Sequence, residues 1–127
     1  MLTFKMLAGI GFFVLGHVFA WFQLNSQFAW EWWKDKPLVA VLIYSVPVGL
    51  CFWYASRFIF EETGAVWSGR FMGFAASYFV FPLLTWTILG ESMFTAKTML
   101  CVLLSACIVM IQIFWRQYEN CRKTLGL

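Results

Sequence analysis

The chain has 127 residues, of which 62% are hydrophobic and only 12% charged. A soluble domain spends about 25% of its residues on charge to coat its surface, so the exterior of this one must face lipid, and its length allows a single domain. The net charge of +3 is scattered, with no basic stripe or arm, which argues against nucleic acid as a partner.

Crossing a hydrocarbon layer of ~30 Å takes about 20 helical residues. On that measure the sequence predicts an all-α membrane protein, a bundle of four transmembrane helices with short loops, over residues 6–24, 38–60, 65–89 and 96–115. The first span reads as a retained helix: Lys5 precedes an apolar run, but the run ends in Trp21-Phe22 and has no small-x-small cleavage site. A polar segment follows, with Trp30, Trp32, Trp33, Lys34 and Lys36, a composition that anchors at the headgroup level. Pro37 suits the first turn of the second helix. Glu61-Glu62-Thr63-Gly64 predicts a tight turn, with its carboxylates near the positive end of the third helix. Gly90-Glu91-Ser92 closes that helix. Pro47 and Pro82 fall inside spans, where each removes a backbone bond and can kink its helix.

Lysines and arginines set orientation. With four spans, the termini and the middle turn share the side carrying Lys5, Arg57, Arg70, Arg116, Arg122 and Lys123, against Lys34, Lys36 and Lys97 on the other. That bias predicts cytoplasmic termini. Packing in lipid needs small residues. Ala65, Gly69, Gly73 and Ser77 recur every fourth residue, Gly9, Gly16 and Ala20 share a face of the first helix, and Cys101 and Ser105 lie on the fourth. These are contact seams, within a protomer or between two. Cys51, Cys101, Cys107 and Cys121 have no CxxC spacing and read as buried apolar thiols, so no metal or redox pair is expected.

Polar groups inside spans need a reason, because a central charge costs at least about 2.5–3.5 kcal/mol on insertion scales. His17 is either a proton- or substrate-handling group or a neutral, hydrogen-bonded histidine. Arg70 can snorkel, pair with Glu61 or Glu62, or bind an anionic headgroup or substrate. Arg57 and Glu61 share a face if the second helix runs that far, which predicts an ion pair. Arg57, Arg70, Glu61 and Glu62 form the densest charge cluster near any span and suit an anion or lipid headgroup. Gln23, Asn25 and Gln112 are candidates for bonds between helices. With no Ser/His/Asp set, no HxxxH and no glycine-rich phosphate loop, neither enzymatic activity nor a cofactor is expected.

Gly64-Ala65-Val66-Trp67-Ser68-Gly69 leads to Pro82, then to Trp86-Thr87-Ile88-Leu89-Gly90-Glu91 and Thr95 before a final apolar helix. Over residues 50–115 this order resembles the drug/metabolite transporter superfamily, and the Trp-Ser-Gly element and four-helix length resemble its small multidrug resistance branch. The resemblance implies a dimer with a substrate chamber lined by Trp67. Two features depart from the branch: the first helix has no acid to couple protons, and Gly64 stands where the branch has tyrosine. The expectation is a dimeric transporter or lipid-flippase-like protein for a small molecule or lipid, working by alternating access with Trp67, His17 and Arg70 at its chamber. The alternatives are an accessory subunit of a membrane complex and, after it, a channel or lipid-handling enzyme.

Overall fold

The structure, a computed structural model, describes residues 3–127, apart from the side chains of Val109, Gln112, Ile113 and Arg116. The expectations for Gln112 and Arg116 thus lie outside the described residues. The chain divides into two units, Met1–Ser92 and Met93–Leu127, and the described residues are helical throughout, joined by short turns.

In the first unit α1 spans Phe4–Ala29, a 3-10 turn follows at Glu31–Trp33, α2 spans Pro37–Thr63, and α3 spans Val66–Leu84 and runs on as a π-helical turn at Thr85–Leu89. Three helices are long and apolar enough to cross a membrane: Phe4–Ala29, Pro37–Thr63 and Val66–Leu89. Their outward residues match that reading. Leu38 and Leu42 on α2 are each 75% exposed, a surface that water would penalise and lipid would not.

The ends follow local rules. Thr3 caps α1 by accepting from the Met6 N–H at 3.2 Å. α2 runs past the expected end at 60, which puts Glu61 and Glu62 in its last turn rather than at the start of α3. The helix dipole disfavours acids there. Two cations offset this: Arg57, one turn earlier, meets Glu61 at 3.0 Å, and Lys5 of α1 meets it at 2.9 Å. Gly64 then stops the helix with φ 69°, and its N–H donates to the Phe60 carbonyl at 2.8 Å.

α1 packs against both α2 and α3. Phe13, Ala55, Ile59 and Ala76 form the core of these contacts. Gly9 and Gly16 bring α1 close to α2: a Cβ on Gly9 would lie 2.8 Å from Ile59 Cδ1, and one on Gly16 2.6 Å from Phe52 Cε1 and 3.2 Å from Cys51 Cβ. At the far end of α1 the buried Trp21 Nε1–H donates to the buried Thr85 Oγ1 at 2.9 Å. Asn25, a candidate for a bond between helices, instead donates to the Trp21 carbonyl of its own helix at 3.1 Å. A ring cluster closes this end, with Phe22 stacked on Trp30 and Tyr44, and Trp33 tilted against Tyr44. Lys36 Nζ sits 3.6 Å from the centre of the Trp32 ring.

The second unit is α4, Ala96–Thr124, capped by Thr95, with Arg122 and Lys123 in the last turn where the dipole favours cations. The expected span 96–115 contains side chains outside the described residues; its described apolar stretch is Ala96–Ile108. Cys51 is buried as expected, whereas Cys101, Cys107 and Cys121 are exposed.

Replacing Thr85 by Val keeps the shape but strands the buried indole N–H, which costs about 1–3 kcal/mol. Thr85→Val is therefore expected to unfold at lower denaturant in detergent, and Thr85→Ser, which keeps the acceptor, to lose less. Equal stability of Thr85→Val and parent would show that the bond carries no weight.

Candidate functional site

A cavity of about 910 Å³ lies between the first three helices. On α2 its wall is Gly49, Phe52, Trp53, Ser56, Arg57 and Phe60; on α3 it is Val66, Gly69, Arg70, Gly73, Phe74 and Ser77. Both sets run i, i+3, i+4, i+7, i+8, i+11, which is one face of an α-helix. The two faces oppose each other across the Gly64 turn. Phe13 and His17 of α1 complete the lining.

The wall is apolar and aromatic over most of its length, and its charge lies at one end. Arg57 precedes the end of α2 by six residues, and Arg70 follows the start of α3 by four. At 1.5 Å per residue both guanidinium-bearing positions lie within roughly 9 Å of the turn. Gly49 and Ser77 lie about 10–12 Å further in along their helices by the same measure. No carboxylate lines the cavity.

The two arginines differ in what they hold. Arg57 Nε–H donates to Glu61 Oε1 at 3.0 Å, which fulfils the expected ion pair and occupies one of its five N–H groups. Glu61 is shared with Lys5 at 2.9 Å. Arg70 has no carboxylate within ion-pair distance among the described residues, so the expected pairing with Glu61 or Glu62 does not form; its guanidinium carbon lies 5.0 Å from the centre of the Phe74 ring, a cation–π contact one turn along its own helix.

His17 is half-buried at the back of the cavity. Its ring lies 4.9 Å from that of Phe52 and is tilted by 60°. A Cβ on Gly73 would lie 3.3 Å from Phe13, so this stretch of α3 comes close to the α1 ring.

The structure thus brings His17 and Arg70 to one cavity, together with Arg57. Trp67 is not part of the lining; it is exposed and stacks on Phe71 with ring centroids 5.9 Å apart. Glu61 and Glu62 also lie outside the lining. Sequence reasoning missed Gly49, Phe52, Trp53 and Ser56. Gly49, Ser56 and Arg57 fall on one helical stripe of α2, as Gly69, Gly73 and Ser77 do on α3, but neither stripe by itself marks a cavity wall. Among the described residues no three His, Cys, Asp or Glu side chains are grouped to hold a metal ion. Comparison with protein-family models, curated proteins and solved structures gives no match to this chain.

The cavity makes opposite demands on glycines that look alike in sequence. A Cβ on Gly69 would meet nothing within 4 Å, whereas one on Gly16 would strike Phe52. Gly69→Leu is expected to insert and melt within a few degrees of the parent in detergent, and Gly16→Leu to melt well below it or fail to accumulate. The reverse order would contradict the described cavity.

Proposed function

We propose that this protein is a small membrane transporter or lipid-flippase-like protein that acts as a dimer by alternating access. The observation that carries this reading is the cavity between α1, α2 and α3, with His17, Arg57 and Arg70 in its wall. An accessory subunit has no need of such a volume; its polar side chains would meet protein. The apolar walls favour an amphiphile over a hydrophilic solute. In this reading α4 is the fourth span, both termini are cytoplasmic, and the chain is of the drug/metabolite type, nearest its small multidrug resistance branch.

Three spans around one cavity do not enclose a path across the bilayer, so two protomers would complete it. Trp67, which is exposed in the single chain, would then face a chamber between them. Rocking of packed helices about such a chamber is how repeat-built transporters alternate access. α1 contains no Asp or Glu, so the reading favours facilitated movement of the substrate over proton antiport through a carboxylate. The alternative, an accessory subunit, would use the exposed Trp67–Phe71 stack to bind a larger assembly.

The test is reconstitution of the full chain into vesicles containing trace NBD-labelled phosphatidylglycerol or phosphatidylcholine, with dithionite reporting movement between leaflets. At least one labelled lipid is expected to flip faster than in protein-free vesicles, and cross-linking is expected to trap a dimer. His17→Ala, Trp67→Ala and Arg70→Gln should each slow flipping several-fold while still inserting. A rate unchanged in all three variants, or no flipping by the parent, would favour the accessory role.

A further inference from the structure

We propose that the cavity binds an anionic amphiphile, its phosphate or carboxylate headgroup held between Arg57 and Arg70 and its chain laid along the Phe52, Phe74 and Phe13 wall. The proposal rests on reading the cavity as a ligand site and specifies the sign of the charge that it takes.

Three observations converge on that sign. First, the titratable groups in the lining are two arginines and one histidine, with no acid to receive a cation. Second, the acid at this end is already committed: Glu61 lies between Lys5 and Arg57, so these three groups together keep one positive charge. Glu62, in the same last turn of α2, lies outside the lining and has no ion pair among the described residues. Third, Arg70 adds a guanidinium with no carboxylate partner among the described residues. Among the described residues no hydrogen bond uses the five N–H groups of Arg70 or the four at the tip of Arg57. Guanidinium forks bind phosphate and carboxylate oxygens in pairs, with stronger bonds than neutral donors make.

The shape fits the same chemistry. The arginines flank the α2–α3 turn, at the end of the spans, where a lipid headgroup lies. From there the lining turns aromatic and small, through Phe52, Phe74 and Gly73 to Gly49 and Ser77, over about 10–12 Å of helix. A free inorganic anion would use only the first part of this volume, and a cationic amphiphile would meet two like charges at the mouth.

Trp53 lies in the lining with its ring 5.4 Å from the Arg57 guanidinium carbon, which supplies a local reporter. The experiment titrates the detergent-solubilised full chain with dibrominated phosphatidylglycerol or dibrominated phosphatidylcholine. Bromine quenches tryptophan on contact, and the difference between parent and Trp53→Phe isolates the signal of Trp53. The anionic lipid is expected to quench at about tenfold lower mole fraction than the zwitterionic one. Arg70→Gln, which breaks no ion pair, should raise the mole fraction needed for the anionic lipid by about tenfold, the scale of one charged hydrogen bond. Gly69→Leu should abolish quenching of Trp53 by either lipid.

Equal quenching by the two lipids, or full affinity in Arg70→Gln, would overturn the proposal. So would stronger competition by a quaternary ammonium amphiphile than by phosphatidylglycerol. Displacement of the brominated lipid by inorganic phosphate at matched ionic strength would assign the site to a free anion and would likewise overturn it. The two readings fail separately: selective binding without flipping overturns the transporter and leaves the anion site, whereas flipping without charge selectivity does the opposite.

Discussion

The first unit depends on the close approach of α1 to α2. Gly9 and Gly16 leave no side chain between the helices, so Ile59 and Phe52 lie against the α1 backbone. Lipid tails are as apolar as leucine, so such contacts draw on packing and on the few available hydrogen bonds. α1 then serves as a common partner. Its Phe13 reaches Gly73 of α3, and its Trp21 bonds Thr85 beyond Pro82. Because α1 makes these contacts, α2 and α3 need not close on each other below the Gly64 turn. The cavity occupies the interval that remains, with Phe13 and His17 of α1 in its wall.

The two ends of these helices are chemically distinct. One carries the Phe22, Trp30, Trp33 and Tyr44 rings and the Lys36–Trp32 contact, groups that sit well at a headgroup boundary. The other carries Lys5, Arg57, Glu61 and Arg70, where one carboxylate serves two cations and a third cation has no acid. Arg70 has no carboxylate within ion-pair distance among the described residues, so its charge is met by water or by an external anion. His17 lies deeper and is in ring contact with Phe52.

Much of this was legible in the residues, and the rest was hidden for physical reasons. The three long apolar runs marked their helices because length and hydropathy alone decide whether a segment can cross a bilayer. Ends were harder. α2 continues through Glu61 and Glu62 because Arg57, one turn earlier, and Lys5, from another helix, neutralise an acid that the dipole disfavours. Only the first of those partners is readable from local spacing. His17 and Arg70 stood out because polar groups are scarce in spans, but Trp67 was chosen by resemblance, and it is not in the lining of the cavity they share. The α2 wall was missed because Gly49, Ser56 and Arg57 gain meaning only when the matching stripe of α3 is set opposite. Likewise, the every-fourth-residue pattern of Gly69, Gly73 and Ser77 reads as a packing seam, although only Gly73 receives a neighbouring ring and Gly69 borders open volume.

That open volume bears on what the fold is arranged to do. A glycine inside a helix forfeits roughly 0.8–1.0 kcal/mol relative to alanine. At Gly9 and Gly16 the loss is recovered in packing, since a larger residue would push α1 from α2. At Gly49 and Gly69 it is not, because a Cβ at either would meet nothing within 4 Å. Both border the cavity. An alanine methyl at either position would meet no neighbour within 4 Å and would raise helix propensity, so neither glycine is explained by packing among the described residues of a single chain. Sites of function commonly give up stability in that way, and Arg70, whose guanidinium has no carboxylate within ion-pair distance among the described residues, borders the same volume.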